Sequence, residues 1–245
     1  MPSDYAKWLQ RNVAPEEQGP EPGRWARFCT WMRYNWGVVL CIGIVAGAGT
    51  SIACSALGVG QVRPDYQVAY VGTDELPEDT VNALQGALEA LGSDLNGDGQ
   101  VVVQVNQYYT TSDTEDETGA MTAYASEVSL IADINDCESY FFLVEDPDDF
   151  QTKYQLLATG DGGCPEDTDT DGLSKVYQWS DCPVLASIDL GEYTVSLLGE
   201  TATGDSNELV QTLYLGRRCF YLEDTVENVE GCEALWDVLT EGAVR

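Results

Sequence analysis

The chain has 245 residues, and 42 Asp and Glu against 11 Lys and Arg give it a formal charge of −31. So acidic a chain repels nucleic acid and anionic lipid surfaces, which excludes both as partners. Histidine is absent, which removes the commonest general base, the usual triad partner and the most frequent zinc ligand, and weakens every catalytic reading.

The charge is unevenly placed. Four acids (Asp4, Glu16, Glu17, Glu21) and five bases (Lys7, Arg11, Arg24, Arg27, Arg33) precede residue 63, which leaves 38 acids and six bases from Arg63 onward. Between the two regions Asn35–Val62 carries no charge. About 20 helical residues cross a hydrocarbon core of ~30 Å, so residues 36–60 are expected to form one transmembrane signal anchor. Trp31, Tyr34 and Trp36 suit its interfacial edge. Three arginines before the segment, against Arg63 alone just after it, put residues 1–35 in the cytoplasm and 61–245 outside. A lipoprotein signal is the rival reading. Ala53-Cys54 would supply the lipidated cysteine, although Ser51 stands where that motif wants leucine and the polar lead is long.

The outer part opens with a β-rich run, "YQVAYVG" (66–72). A helix is expected over 77–92, with Pro77 in its first turn, Glu78 and Asp79 at its positive end, and Val81, Leu84, Leu88 and Leu91 at helical spacing. "VVVQVNQYY" (101–109) predicts a second strand and 110–119 an acidic loop. A helix over 120–135 is expected to bury Met121, Tyr124, Val128, Ile131 and Ile134. "SYFFLVE" (139–145) reads as a buried strand and 146–158 as a short helix. After a Gly/Asp-rich loop (159–176), "CPVLASIDL" and 193–199 read as short strands, 209–222 as a segment leading into a strand, and 225–242 as a closing helix through Val229, Leu235 and Leu239. Strands alternating with helices predict βαβ units and a parallel sheet, hence a three-layer α/β domain with helices on the faces of its sheet.

Cys29, Cys41 and Cys54 lie in or beside the membrane segment; Cys137, Cys164, Cys182, Cys219 and Cys232 lie outside it. Five is an odd number, so one cannot pair within the outer part. Nearness in sequence suggests Cys164–Cys182 and Cys219–Cys232 without fixing connectivity.

"DLNGDG" (94–99) opens like a calcium loop. Asp94, Asn96 and Asp98 stand at positions 1, 3 and 5, Gly99 at 6 and Gln100 at 7, but Val105 replaces the bidentate acid at 12. The same residues make a tight helix-to-strand turn, because Asn and Asp bond their own backbone. The expectation is a turn first, with Asp94 accepting local amides and Gly99 at positive φ, and calcium held weakly at most, of order 10⁻⁴–10⁻³ M. "DTDTDG" repeats the spacing with Asp167, Asp169 and Asp171, again without an acid at position 12, Gln178. Arg217-Arg218, a basic pair in an acidic domain, is a candidate for an anionic or sugar-like solute, or neutralises neighbouring acids. Tyr108-Tyr109, Tyr140-Phe141-Phe142 and Trp179 are core or pocket aromatics.

Residues 66–105, then "SEVSLIADINDCESYFFLVEDPDDF" and the closing 213–242, resemble the amino-terminal part of bacterial extracellular solute-binding proteins of the type 2 periplasmic-binding fold. They are similar also to membrane-anchored or lipid-anchored proteins of Gram-positive bacteria with the same element order. The resemblance covers about two-thirds of residues 66–245 in layout, without a diagnostic motif. It implies one lobe of that fold, since about 180 residues suffice for a single domain and two lobes need more. Two functions follow. One is a non-enzymatic binding or scaffold module of the cell envelope with an envelope protein as partner. The other is a small-solute receptor or sensor. No organic cofactor is expected.

Overall fold

The computed structural model describes residues 63–109, 117–166, 168–197, 200–222 and 225–244, with residues 8, 23, 25, 29, 32 and 33 from the amino-terminal part. The expected anchor and Asp167 lie outside the described residues. Contacts divide the chain into Met1–Gln61 and Val62–Arg245. Among the described residues no helix is long and apolar enough to cross a membrane.

The second unit is an α/β domain. Its elements are β1 (Tyr66–Gly72), α1 (Glu78–Leu91), β2 (Val103–Tyr109), α2 (Glu117–Asp136), β3 (Phe141–Val144), α3 (Pro147–Tyr154), β4 (Tyr177–Gln178), α4 (Pro183–Ala186), β5 (Glu192–Leu197), β6 (Glu200–Asp205), α5 (Ser206–Val210), β7 (Tyr214–Arg217) and α6 (Val229–Leu239). Five strands form one sheet in the order β2-β1-β3-β7-β4, while β5 and β6 pair as a separate hairpin. β1 runs parallel to β2 and β3, and β7 is antiparallel to both β3 and β4. β1, β2 and β3 pair in parallel in one sheet, as their βαβ pattern predicts, but β7 runs against its neighbours and makes the sheet mixed where a parallel one was expected; β7 enters from the short helix α5 with no crossover that would turn it parallel.

Period-two alternation sorts the strands' side chains between two cores. Val68, Tyr70, Val103, Val105, Phe141, Leu143 and Leu215 meet Leu84 and Leu88 of α1 and Leu235, Trp236 and Leu239 of α6 on one face. Ala69, Val71, Tyr108, Phe142 and Val144 meet Leu130 of α2 and Phe150 of α3 on the other. β1 and β3, buried on both faces, are central and read as continuous apolar runs. The strand order explains why α1 and α2 lie on opposite faces. β1→β2 steps outward and β2→β3 steps back past β1, so crossovers of one hand reverse sides.

The burial of α2 corrects the sequence reading. Met121, Tyr124, Val128 and Ile131 are exposed, Met121 by 76%, while Ala123, Leu130 and Asp133 are buried and Ile134 is partly so. Polar anchors fix this face. Ser126 Oγ accepts the Tyr109 amide at 2.9 Å, and Asp133 accepts the Tyr108 hydroxyl at 2.8 Å. Turning the apolar stripe inward would break both bonds. Leu130→Ala is accordingly expected to cost about 3 kcal/mol, and Met121→Ala less than about 0.5 kcal/mol, in urea unfolding of the full chain. Equal effects would restore the expected orientation.

Other differences are local. "CPVLASIDL" forms the one-turn helix α4 in place of a strand, with Pro183 at its start. The strand expected from Tyr193 onward is β5 (Glu192–Leu197), which sits in the hairpin, outside the main sheet. The helix expected over 146–158 ends at Tyr154, where Gln155 turns left-handed at φ 55°.

Candidate functional site

The connections leaving β1 and β3 part toward opposite faces, α1 on one and α3 on the other. In open α/β sheets such a switch point, at the carboxyl ends of adjacent parallel strands, opens a crevice. Here it is a cleft of about 270 Å³ lined by Val71, Gly72, Thr73, Glu145, Asp146, Asp149, Phe150, Lys153 and Tyr154.

Glu145, just past β3, spans its floor. Its Oε2 accepts the Thr73 amide and hydroxyl, both at 2.8 Å, and its Oε1 accepts the Tyr70 hydroxyl at 3.0 Å. Gly72 is required beneath it, because a Cβ there would fall 2.2 Å from Tyr70 Oη. Asp146 caps α3 by accepting the Asp149 amide at 3.0 Å. On the next turn Lys153 pairs with Asp149 at 2.7 Å. Three carboxylates against one ammonium leave the lining net negative. The Phe150 and Tyr154 rings stand 5.1 Å apart, and the Tyr154 hydroxyl is buried without a hydrogen-bond partner among the described residues. Burial, with Glu127 and Asp149 nearby, raises its phenol pKa, so it stays a neutral hydroxyl whose oxygen can accept as well as donate.

Buried phenols are expected to weaken the fold at alkaline pH. Burial, then the Glu145 carboxylate, pushes Tyr70 far above its usual value; burial, then Asp133, does the same to Tyr108. Tyr140 rises to about 12, burial outweighing the Arg217 guanidinium that lowers it. Folded values above the unfolded one mean that this stability is fully present below pH ~10 and is lost as pH climbs toward the folded values. Each such phenol is expected to contribute a slope of about −1.4 kcal/mol per pH unit. Tyr140→Phe should remove one such slope between pH 10 and about 12 in denaturant titrations.

The corner at 94–100 is a turn of the expected kind. Asp94 accepts the amides of Gly97 at 2.6 Å and Gly99 at 2.8 Å, and Gly99 takes φ 90°. Asn96 and Asp98 accept the amides of Asp98 and Gln100, each at 2.9 Å. What the sequence did not reveal is Asp65. It is 5% exposed and accepts Leu95 and Val102 amides at 2.8 Å and the Asn96 amide at 3.0 Å, tying both ends of the corner to the start of β1. Among the described residues no group of three or more Asp, Glu, Cys or His is gathered as a metal site.

The second acidic loop holds a cation of its own. Lys175, 3% exposed, pairs with Asp169 at 2.8 Å and also bonds the Asp171 carbonyl. That partner holds the Asp169 carboxyl below its ordinary pKa.

Arg217 and Arg218 do not converge. Arg217 lies over the Trp236 ring at 5.2 Å and donates to the Gly160 carbonyl at 3.2 Å. Arg218, 4% exposed, points to the α2 side, where it bonds the carbonyls of Ile134 and Ser139 and the Cys137 sulfur. It thereby satisfies carbonyls at and beyond the end of α2. The residues of the crevice were missed because Thr73 and Glu145 lie 72 positions apart and carry no motif; "DPDD" after a buried strand, a helix start at the end of β3, was the one usable signal.

No protein-family model, curated protein or solved structure matches the chain.

Proposed function

We propose that the chain is a membrane-anchored, extracytoplasmic binding module without a catalytic step, and that it takes a small organic ammonium solute in the switch-point crevice. The observation that carries this reading is the crevice itself: a net-negative cleft lined by Tyr154, whose buried hydroxyl has no hydrogen-bond partner among the described residues. Carboxylates beside aromatic rings suit an alkylammonium group, which gains charge pairing and contact with ring faces. Glu145 accepts from three donors, while Asp146 accepts one amide and Asp149 pairs with Lys153 alone, so Asp146, Asp149 and the Tyr154 oxygen are the groups with lone pairs left to meet the solute. The charge-free stretch at 35–62 and the arginines before it support the anchor and its orientation.

A thermal-shift screen of the full chain in detergent, against amines, amino acids, neutral sugars and carboxylates, tests the reading, since a ligand of the folded state raises its melting temperature. Amines should stabilise, and Tyr154→Phe should weaken them about 5–10-fold while leaving the free protein's stability unchanged. Stabilisation by carboxylates alone would overturn the reading.

A scaffold role has one specific observation in its favour. The outward stripe Met121, Tyr124, Val128 and Ile131 of α2 is apolar, and Glu127 is the one exposed charge between Ala120 and Ile134. Met and Tyr with few charges are the composition of interface cores. Sedimentation of the full chain against its Val128→Glu variant tests whether this face pairs with a second copy.

A further inference from the structure

The corner that links α1 to β2 carries two chemically labile pairs. Asn96-Gly97 is the one Asn-Gly pair in the chain, and Asp98-Gly99 follows it directly. Such pairs rearrange because glycine has no Cβ to keep its amide nitrogen away from the carbonyl carbon of the preceding side chain. At Asn96 the Gly97 nitrogen loses its proton to water or hydroxide and bonds to Cγ, and the Cγ–Nδ2 bond breaks to release ammonia. Water then opens the resulting succinimide at either carbonyl, which leaves an aspartyl or an isoaspartyl residue. At Asp98 the same ring closes on attack by the Gly99 nitrogen, with water as the leaving group, and water reopens it. No electrons are transferred in either sequence. Replacing the glycines is no remedy, since Gly97 at φ 77° and Gly99 at φ 90° hold conformations that a side chain resists.

We propose that Asp94 protects both pairs, Asn96 from deamidation and Asp98 from isomerisation. One carboxylate engages both attacking nitrogens: Oδ1 accepts the Gly97 amide at 2.6 Å and Oδ2 the Gly99 amide at 2.8 Å. A hydrogen bond to a charged acceptor holds the proton that each nitrogen must give up, and it directs that nitrogen at Asp94, away from its own target. The targets are held as well. Asn96 Oδ1 accepts the Asp98 amide at 2.9 Å while its Nδ2 donates to the Arg63 carbonyl at 3.0 Å, and Asp98 Oδ1 accepts the Gln100 amide at 2.9 Å. Asp94, Asn96, Gly97, Asp98 and Gly99 are all exposed, so water and hydroxide reach the loop and burial offers no protection. The aspartate at the head of the loop thus has a role separate from folding stability: its two exposed bonds govern how long the covalent structure of the corner lasts. An isoaspartyl residue at either position lengthens the main chain by one carbon between Leu95 and Val102, whose amides Asp65 ties to the start of β1.

The test ages the full chain in neutral buffer with detergent, beside a synthetic peptide of residues 90–103, and follows both by peptide mapping that separates aspartyl from isoaspartyl forms. The folded chain is expected to deamidate at Asn96 and isomerise at Asp98 at least about 10-fold more slowly than the peptide. Asp94→Ala should bring both rates in the full chain most of the way to those of the peptide, and Asp94→Asn, with one carbonyl acceptor in place of two oxygens, should fall between. Asp65→Asn is the control for rigidity: it weakens the tie between the corner and β1 but keeps both Asp94 bonds, so its rates should stay near wild type. A wild-type chain that ages as fast as the peptide, or an Asp94→Ala chain that ages as slowly as wild type, would overturn the proposal. So would Asp65→Asn accelerating the two positions as much as Asp94→Ala does.

Discussion

Replacing Asp133 with alanine is expected to destabilise the domain by about 4 kcal/mol. The carboxylate is 2% exposed and accepts the Tyr108 hydroxyl at 2.8 Å, the Ser139 amide at 3.0 Å and the Ser139 hydroxyl at 2.6 Å. It joins β2, the end of α2 and the residue two before β3. Truncation leaves three donors buried without their acceptor. Tyr108→Phe removes one donor and leaves Asp133 its two bonds to Ser139, so about 2 kcal/mol is expected. Urea unfolding of the full chain measures both. A loss under about 1 kcal/mol for Asp133→Ala would mean that α2 is held by its apolar contacts alone.

At the corner, Asp65→Ala is expected to cost about 3 kcal/mol, because three backbone amides lose one charged, nearly buried acceptor. Asp65→Asn, which keeps one oxygen acceptor, should lose about half of that. Asp94→Ala should cost less than either, since its two amide bonds are exposed. Gly99→Ala, strained at φ 90° though its surroundings are open, should cost about 1 kcal/mol. Should Asp94→Ala prove the most damaging of the four, the corner would depend on its own loop and not on the strand start.

Elements carrying one unambiguous pattern were legible in the sequence. The valines of β1 and β2, the FFLV run of β3 and the stop at Gly92 need only local periodicity. The turn at 94–100 was legible because Asx chemistry is local as well. α2 was misread because its apolar residues could serve two faces, and the choice fell to Ser126 and Asp133, whose partners lie on β2 and just before β3. The direction of β7 was hidden for a similar reason: it depends on the path from β4 through the hairpin to α5, which no strand-forming run records. The crevice requires Gly72 and Thr73 to meet Glu145, a contact created by β1–β3 pairing. Arg217-Arg218 looked like one basic site, but adjacent strand residues point to opposite faces, and each guanidinium is engaged separately.

We propose that the crevice, and not the aspartate corner, is where this protein binds a cation. Calorimetric titration of the full chain with 1,4-diaminobutane, beside Asp149→Asn and Asp98→Ala variants, tests it most directly. The account predicts saturable heat that Asp149→Asn reduces at least about 10-fold in affinity and Asp98→Ala leaves unchanged. Heat lost with Asp98→Ala and kept with Asp149→Asn would contradict it.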